Sequence, residues 1–314
     1  MSEYTVDYSI IIPVYYNEGS LAKTFDILKK EVIGRNPDLT AEIIFIDDGS
    51  GDNSFQEMTE LKNAAPQLVR LIKFTRNFGQ LQAIMAGFKL ARGKCVINIS
   101  ADLQDPPELI NEMIYYHFQE HREIVICTRE ARDESFFRRV TSQLFYSIMK
   151  RLSFPNMPQK GFDFVLLSDK VKQVILNSRE SNAFFQGQIL WTGYSIHFIP
   201  YVRRRREIGK SRWTFGKKIK YLIDGVMSYS YFPIRMMSVI GAITALIGFG
   251  YAFVIFTAWL FAGGSVKGWA PLMIAILVLS GVQMLMIGIV GEYLWRTLDQ
   301  VRERQPYIID RIIE

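Results

Sequence analysis

The sequence predicts an α/β domain with a mainly parallel sheet, followed by a hairpin of two membrane-spanning helices. Short β-rich runs alternate with helical segments over about the first 230 residues, which is typical of doubly wound sheets. Two later stretches, 236–266 and 268–291, contain no charged residue. Because about 20 apolar residues are enough to cross a bilayer, each stretch predicts one membrane span.

Composition excludes several other classes of protein. The chain has 314 residues, of which 49% are apolar and 22% charged, so it is not predicted to be disordered. Its two cysteines, Cys95 and Cys127, both lie in apolar runs, and we expect them to be buried and reduced. The three histidines have no cysteine cluster beside them, and a zinc site is not predicted.

The elements of the α/β domain follow one another in strict alternation. We predict strands at Ser9–Val14, Glu42–Asp47, Val69–Phe74, Lys94–Ser100 and Glu123–Thr128. The helices between them are predicted at Ser20–Ile33, Ser54–Ala64, Gln80–Ala91 and Pro107–Glu120. Ligands of such sheets bind beyond the carboxyl ends of the strands. Polar residues gather there: Tyr15, Asn17, Glu18, Asp47, Asp48, Arg76, Asn77, Asp102 and Gln104.

Two common nucleotide-binding loops are excluded. No GxGxxG motif follows the first predicted strand, so the phosphate turn of a dinucleotide site is missing. Gly209-Lys210-Ser211 is similar to the end of a P-loop, but Arg204 occupies the position of its first glycine.

Basic residues predict how the chain is oriented in the membrane. Residues 203–220 carry nine Lys or Arg and one acidic residue, whereas the loop between the spans has only Lys267. By the positive-inside rule, both termini are predicted to be cytoplasmic. Segments 135–152 and 214–232 combine basic and apolar residues as interfacial helices do, although a core helix explains 135–152 equally well. Nucleic acid is not a predicted partner, because the basic patch abuts a span.

Two strand-end motifs carry candidate ligand chemistry. Asp47-Asp48-Gly49-Ser50 could present a carboxylate to a nucleobase, or could form an Asx turn that caps the next helix. Ser100-Ala101-Asp102-Leu103-Gln104 directs two oxygen donors, from Asp102 and Gln104, to one side. Such donors suit Mg²⁺ or Mn²⁺ that bridges a diphosphate, while a capped loop is the alternative.

Four motifs in order resemble those of glycosyltransferase family 2. They are Pro13-Val14-Tyr15-Tyr16-Asn17-Glu18, Asp47-Asp48-Gly49-Ser50, Arg76-Asn77-Phe78-Gly79-Gln80 and Ala101-Asp102-Leu103-Gln104-Asp105-Pro106-Pro107-Glu108. With the paired C-terminal spans, nearly the whole chain resembles the polyprenyl-phosphate hexose transferases of that family, such as the bactoprenol glucosyltransferases.

The resemblance implies a GT-A domain that uses a nucleotide-diphospho-sugar and a divalent metal, with inversion at the anomeric carbon. It implies that the donor nucleotide is held by Pro13, Tyr15, Glu18, Asp48 and Ala101. Asp102 and Gln104 would hold Mg²⁺ or Mn²⁺, with Ser100 as a further candidate ligand. Ser100 stands where the family has the first aspartate of Asp-x-Asp, and Tyr15-Tyr16 replaces a single tyrosine.

Asp102 and Asp163 are the candidate catalytic residues. Asp163, in Gly161-Phe162-Asp163-Phe164, lies where similar enzymes place an aspartate near the reacting groups. A lipid phosphate is already anionic, so we expect Asp163 to orient groups or tune charge instead of removing a proton. A structural hydrogen bond at a strand end is the alternative.

Phosphate binding is expected from basic residues. Guanidinium groups bind phosphates in bidentate fashion, although attraction to lipid headgroups also explains a juxtamembrane cluster. A loop similar to the basic loop of the family offers Arg206, Lys210, Ser211 and Arg212. The resemblance also implies Arg129 and either Arg138 or Arg139, which match arginines that contact acceptor phosphate in similar proteins. Of the remaining basic residues, we expect 203–205 to lie partly on headgroups.

The expected protein is an integral-membrane enzyme that transfers a hexose from a UDP- or GDP-sugar, with UDP-glucose favoured, to polyprenyl phosphate at a bacterial plasma membrane. Membrane lipids are expected partners, and a homo-oligomer is left open by glycines in both spans. The alternatives are another lipid or glycan acceptor, or a weakly catalytic scaffold that binds nucleotide sugars. The chain is predicted to have a cytoplasmic catalytic domain at about 1–213 and an interfacial helix at 214–232. Two spans follow within 233–295, at about 236–262 and 270–294, and 296–314 is predicted to be a cytoplasmic tail.

Overall fold

One sheet organises the part of the chain that the structure describes. The computed structural model describes residues 4–129, 161–178, 184–204, 224–227, 229–262 and 269–314, with isolated positions between them. Eight strands occur in these ranges: β1 (Val6–Val14), β2 (Ala41–Asp47), β3 (Val69–Phe74), β4 (Gly93–Asn98), β5 (Ile124–Arg129), β6 (Val165–Ser168), β7 (Ile196–Tyr201) and β8 (Ile309–Ile313). Their order across the sheet is β7-β5-β6-β4-β1-β2-β3-β8.

Helices connect most of the strands. They are α1 (Leu21–Ile27, continued by a π-helical segment at Leu28–Ile33), α2 (Ser54–Ala64), α3 (Gln80–Leu90), α4 (Leu109–Phe118), α5 (Asp169–Asn177), α6 (Phe185–Trp191), α7 (Phe232–Ala262) and α8 (Trp269–Val301). The pairs β1–β2, β1–β4, β2–β3 and β5–β7 are parallel, whereas β6 and β8 each run antiparallel to their neighbours. The predicted mainly parallel α/β class is confirmed.

Strand β1 lies at the centre because it is apolar on both faces. Ile10 and Ile12 belong to one hydrophobic core, and Ile11 belongs to the core on the opposite face. This alternation follows from the two-residue period of a strand, and burial on both faces explains the continuous apolar run. Gly87 lets α3 approach the second core closely, since a Cβ there would lie 2.4 Å from Cγ2 of Ile11.

The predicted elements are confirmed, with small shifts at their ends. The helix at Ser54–Ala64 and the strand at Val69–Phe74 match to the residue, whereas α4 begins at Leu109 instead of Pro107. Cys95 and Cys127 are free and buried, as expected. The amphipathic segments 135–152 and 214–232 lie largely outside the described residues. Strands β6, β7 and β8 were not predicted.

Helices α7 and α8 are long and apolar enough to cross a membrane. By length and composition the candidate spans are Phe232–Thr257 and Val278–Val301. The predicted spans 236–262 and 270–294 lie within α7 and α8. A Cβ on Gly241 of α7 would lie 3.0 Å from Cε of Met286 of α8, so this glycine permits close packing between the two helices.

After α8 the chain returns to the sheet, where a cytoplasmic tail was the expectation. Strand β8 pairs antiparallel with β3, and its first residue, Ile309, lies opposite Phe74 at the carboxyl end of β3. The ring of Tyr307 stacks on Phe74, with centroids 5.1 Å apart. Segments 296–314 and 1–213 therefore share one sheet. Both ends of the α7–α8 hairpin therefore lie on the side of the sheet.

Charged groups close this edge of the sheet. Oε1 of Glu314 lies 2.9 Å from Nη2 of Arg70 and 2.8 Å from Nη2 of Arg92. Arg70 is itself buried, and its Nη1 lies 2.9 Å from the buried Glu42 carboxylate. Hydrogen bonds from Arg70 and Arg92 lower the pKa of Glu314. Deleting a buried cation's partner is costly, so this contact should stabilise the return of the chain.

We expect Glu314→Gln to lower the unfolding temperature at neutral pH, and Asp310→Asn in the adjacent strand β8 to change it little. Because the pKa of Glu314 is lowered on folding, its contribution is complete above the ordinary value of 4.5 and is lost as pH falls through the lowered value. Thermal unfolding from pH 7 to about pH 3 measures this. Equal effects of the two substitutions at pH 7 would contradict the assignment.

Candidate active site

The parallel order β3-β2-β1-β4 places four loops side by side at one edge of the sheet. Val14 and Asp47, near the ends of β1 and β2, are register partners. The next amide, that of Asp48, donates to the carbonyl of Val14 at 2.9 Å. The loops after these strands contain the motif residues predicted to bind the donor, so the chain brings them together at the edge where such sheets bind ligands.

The loop after β1 is fastened to the loop after β2. The amide of Tyr16 donates to Oγ of Ser50 at 3.0 Å, and Oε1 of Glu18 accepts from Nδ2 of Asn53 at 2.7 Å. Glu18 thus binds at the start of α2. Tyr16, the additional tyrosine, has a left-handed backbone with φ of 55°. Its ring meets that of Tyr15 edge to face, with centroids 4.7 Å apart.

Asp48 joins the second loop to the third. Its Oδ1 accepts from the amide of Phe78 at 2.7 Å, and its Oδ2 accepts from the amide of Gly79 at 2.9 Å. The carboxylate therefore orients the loop that precedes α3. Its predicted contact with the nucleoside stays a prediction, as do those of Pro13 and Tyr15, which lie on the same edge.

Asp47 had no separate role in the sequence-based interpretation. It is fully buried at the end of β2, and its Oδ1 accepts from the amide of Ser50 at 2.9 Å. Burial raises the pKa of Asp47, against the hydrogen bonds from Ser50 that lower it. Its Oδ2 has no hydrogen-bond partner within the described part of the chain. The carboxylate of Asp47 thus closes the turn at Ser50 but does not cap α2, whose N-cap is Asn53, while Asp48 binds the neighbouring loop.

Gly49 is required by the close approach of two loops. Its φ is +71°, a conformation that side chains with a Cβ rarely adopt. A Cβ would also lie 2.5 Å from the carbonyl carbon of Arg76 and 2.7 Å from the nitrogen of Asn77. Both atoms belong to the backbone, so the clash could be relieved only by moving the third loop.

The loop after β4 holds the candidate metal ligands. Oγ of Ser100 lies 2.7 Å from Oδ1 of Asp102 and 3.0 Å from Oδ2 of Asp105. The same Oδ1 of Asp102 accepts from the amide of Gln104 at 3.2 Å. The carbonyl of Ala101 accepts from Oγ1 of Thr24 at 3.1 Å, which fixes the loop on α1.

The loop after β4 offers three candidate oxygen ligands for a hard divalent ion, of which only one is a carboxylate. Among the described residues, no cluster of three or more His, Cys, Asp or Glu side chains is arranged to hold a metal. Asp102 supplies one carboxylate, Gln104 an amide oxygen and Ser100 a hydroxyl. Mg²⁺ commonly binds through one or two carboxylates, with substrate phosphates and waters completing its shell. The loop therefore suits Mg²⁺ or Mn²⁺ that arrives with a diphosphate.

Asp163, in the loop before β6, forms an ion pair with Arg129, the last residue of the neighbouring strand β5. Nη2 of Arg129 donates to Oδ2 of Asp163 at 2.7 Å, and Nδ2 of Asn98 donates to the carbonyl of Asp163 at 2.7 Å. Burial alone would lower the pKa of Arg129, but the charge of Asp163 and the nearby Tyr201 raise it. Arg129 is thus a permanent cation. The two residues were predicted separately, and the fold makes them an ion pair.

The start of the basic segment contacts the loop after β4. Nε of Arg203 lies 3.3 Å from Oδ1 of Asp105, and Nη2 of Arg204 lies 3.2 Å from Oε2 of Glu108. Arg203 and Arg204 thus have acidic partners in this loop, and the expectation that 203–205 lie partly on lipid headgroups stays a prediction. The other predicted phosphate ligands, Arg138, Arg206, Lys210, Ser211 and Arg212, lie outside the described residues.

Sequence reasoning missed two residues of this region. Asp105 is 1% exposed and accepts a hydrogen bond from the hydroxyl of Tyr201, the last residue of β7. Asp105 lies inside a quoted motif, and its position before two prolines marked it as a loop residue only. Tyr201 gave no signal, because β7 was not predicted and the two residues are 96 positions apart.

Comparison with known proteins agrees with this fold. Residues 9–185 match Glycosyl transferase family 2. An uncharacterized glycosyltransferase, YkcC, of Bacillus subtilis is 34% identical over 98% of this chain and 94% of its own length. A bactoprenol glucosyl transferase of Shigella phage SfII is 34% identical over 96% of this chain and 97% of its own. The crystal structure of a mycobacterial protein superposes with a TM-score of 0.50 at 16% identity, covering 72% of this chain and 76% of that one.

The mainly parallel α/β fold, with its loops at the carboxyl edge of the sheet, defines a GT-A-type transferase domain. Two apolar helices follow it. The chain belongs to glycosyltransferase family 2 and is a glycosyltransferase.

We expect Gly49→Ala to weaken UDP binding at least tenfold and to destabilise the domain, because backbone strain of about 1–3 kcal/mol adds to the clash with the third loop. Gly193→Ala is the matched control. Its φ is +73°, but nothing lies within 4 Å of a Cβ there. Calorimetric titration with UDP and thermal unfolding measure both effects. If the two variants bind UDP equally well, the close approach of the loops is not needed for the donor site.

Proposed function

We propose that the protein transfers a hexose from a nucleotide-diphospho-sugar to polyprenyl phosphate at the membrane surface, with inversion at the anomeric carbon. UDP-glucose is the proposed donor. The single observation that carries the proposal is the placement of the site relative to the apolar hairpin. The chain leaves the sheet toward α7 after Tyr201 and re-enters it at Ile309, and both points lie at the carboxyl edge.

This placement supports an acceptor that resides in the membrane. Strand β7 ends at Tyr201, opposite the last residue of β5, Arg129. Ile309 lies opposite the last residue of β3. The loops that would bind a water-soluble donor therefore lie at the edge from which the chain runs to its membrane helices. A lipid phosphate at the bilayer surface could reach them without leaving the membrane.

The basic groups of the site support an anionic acceptor. Arg129 is largely buried and has one carboxylate partner, Asp163, within the described residues. Its charge could bind an acceptor phosphate, while Asp163 holds the guanidinium in place. The relatives named as bactoprenol glucosyl transferases agree with a polyprenol carrier.

The proposed reaction is a direct displacement. An oxygen of the lipid phosphate forms a bond to the anomeric carbon while the bond from that carbon to the diphosphate oxygen breaks. The electron pair of the broken bond stays on the nucleoside diphosphate, so no proton needs to be removed from the acceptor. A divalent ion, when bound, would offset the negative charge that develops on the diphosphate. Asp102 and Gln104 would hold it, and the loops after β1 and β2 would hold the nucleoside.

The proposed orientation places the catalytic domain and both termini in the cytoplasm, where nucleotide sugars are made. The excess of basic residues in 203–220 over the loop at Lys267 supports this orientation. The pairing of β8 with β3 supports an even number of membrane crossings, because it requires both ends of the hairpin on one side.

The experiment is transfer of radiolabelled sugar from a panel of nucleotide sugars to undecaprenyl phosphate by the full-length protein in lipid vesicles. We expect a lipid-extractable product with UDP-glucose, and loss of that product in excess EDTA with recovery on adding Mg²⁺ or Mn²⁺. Asp102→Asn should reduce turnover at least a hundredfold, in the range seen when one charge-stabilising group is lost. Asp26→Asn, on an exposed position of α1, serves as its control.

Two outcomes would contradict the proposal. Full turnover in excess EDTA would exclude the divalent ion. Binding of nucleotide sugar without any lipid-linked product across the panel would instead favour a scaffold subunit that binds the donor only.

A further inference from the structure

We propose that Tyr201 is a positioning residue for the transfer reaction, whose hydroxyl ties the metal-binding loop after β4 to the guanidinium of Arg129 beside Asp163. No motif of the sequence marks this residue. The inference rests on the proposed function, because it assigns Arg129 and Asp102 to the acceptor and donor sides of that reaction.

The two hydrogen bonds of the Tyr201 hydroxyl allow only one assignment of donor and acceptor. Nε of Arg129 can only donate, and it lies 3.3 Å from the hydroxyl oxygen of Tyr201. The hydroxyl therefore accepts from Arg129 and gives its own proton to Oδ1 of Asp105. Burial, followed by the charge of Asp105, raises the pKa of Tyr201, so the phenol keeps that proton throughout the physiological range.

Asp105 carries the tie onward to the metal-binding loop. Its Oδ2 lies 3.0 Å from Oγ of Ser100, which also lies 2.7 Å from Oδ1 of Asp102. A serine hydroxyl has a single proton, so it can donate to only one of these two carboxylates at a time. When Ser100 donates to Asp102, the hydroxyl of Tyr201 is the donor that keeps the buried Asp105 satisfied, with Arg203 3.3 Å away.

Packing holds the ring of Tyr201 independently of its hydroxyl. The side chain is 6% exposed and belongs to one of the two main cores. Its ring meets that of Phe164 at 88°, with centroids 6.4 Å apart. Removing the hydroxyl should leave the ring where it is. Among the described residues, Arg129 would then keep only its side-chain contact with Asp163, and its guanidinium could turn.

The decisive variant is Tyr201→Phe, with Tyr8→Phe as its matched control. Tyr8 is fully buried in β1, and its hydroxyl has no hydrogen-bond partner within the described residues. Both substitutions remove one buried phenol oxygen, but only the first breaks a tie. This comparison separates a positioning role from the general effect of deleting a buried hydroxyl.

In the transfer assay, we expect Tyr201→Phe to lower kcat about tenfold and to raise the acceptor KM, as for loss of one hydrogen bond to a charged group. The donor KM should change less than about twofold, since Asp102 and Gln104 keep their other contacts. Tyr8→Phe should leave all three constants unchanged. Unaltered kcat in Tyr201→Phe, or a rise in donor KM alone, would overturn the proposal.

A second readout needs no substrate. In the NMR spectrum of ¹⁵N-arginine-labelled protein, the Nε–H of Arg129, assigned by its loss in Arg129→Lys, should be protected from exchange. That signal should shift and lose protection in Tyr201→Phe but not in Tyr8→Phe. An unchanged signal in Tyr201→Phe would overturn the tie.

The two readouts distinguish failure of this inference from failure of the proposed function. If the wild type makes no lipid-linked hexose, the proposed function fails, and the NMR signal alone decides whether Tyr201 holds Arg129. If the wild type is active and Tyr201→Phe changes only the unfolding temperature, the proposed function stands and Tyr201 is merely structural.

Discussion

The parallel pairing of β1 with β2 on one side and β4 on the other is the constraint on which the site depends. Because parallel strands end at the same edge, this pairing brings the loops after β1, β2 and β4 within hydrogen-bonding distance. The contacts that follow are short and specific. Asp48 clamps the loop after β3, Glu18 binds the start of α2, and Ala101 is fixed on α1. The contacts of Glu18 and Ala101 depend on the register of β1 and would not survive a shift of one residue, whereas that of Asp48 depends on the pairing of β2 with β3.

A second set of contacts crosses from the loop after β4 to the end of β5 and the loop before β6. It runs from Asp102 through Ser100, Asp105 and Tyr201 to Arg129, and ends at Asp163. These groups come from the ends of β4, β5 and β7 and from the loop before β6. Buried charges of this kind are costly unless each is paired. Here carboxylates alternate with donors along the path, so pairing and positioning have the same physical origin.

The sequence predicts the strongly apolar elements well. Strands β1 to β5 are short apolar runs bounded by polar turns, and α2 matches its prediction to the residue because an amphipathic period and both ends are visible. Strand β8 was missed because Ile309–Ile313 is only five residues long, has two adjacent charged residues at its centre and follows a predicted span, so it was assigned to the tail. Its partner, β3, lies more than 200 positions earlier, as the Arg70–Glu314 contact illustrates.

In the candidate site, too, residues within local motifs were predicted and their distant partners were not. The motif residues Glu18, Asp48, Asp102 and Asp163 were found from their positions after predicted strands and from their resemblance to family motifs. The partners that hold them were not, because hydrogen bonds such as that between Tyr201 and Asp105 join residues far apart in the chain. Local patterns identify which groups carry chemistry, whereas tertiary pairing decides which way those groups face.

The central claim is that the loop-bearing edge of the sheet faces the membrane. It is tested most directly by comparing fluorophores at the two ends of β3, on Gln67→Cys and Asn77→Cys, in vesicles that carry a headgroup quencher. Both positions are exposed, the native cysteines are buried, and the ends of a six-residue strand are about 20 Å apart. If the loop-bearing edge faces the membrane, quenching is markedly stronger at position 77. Equal quenching, or stronger quenching at position 67, would contradict it.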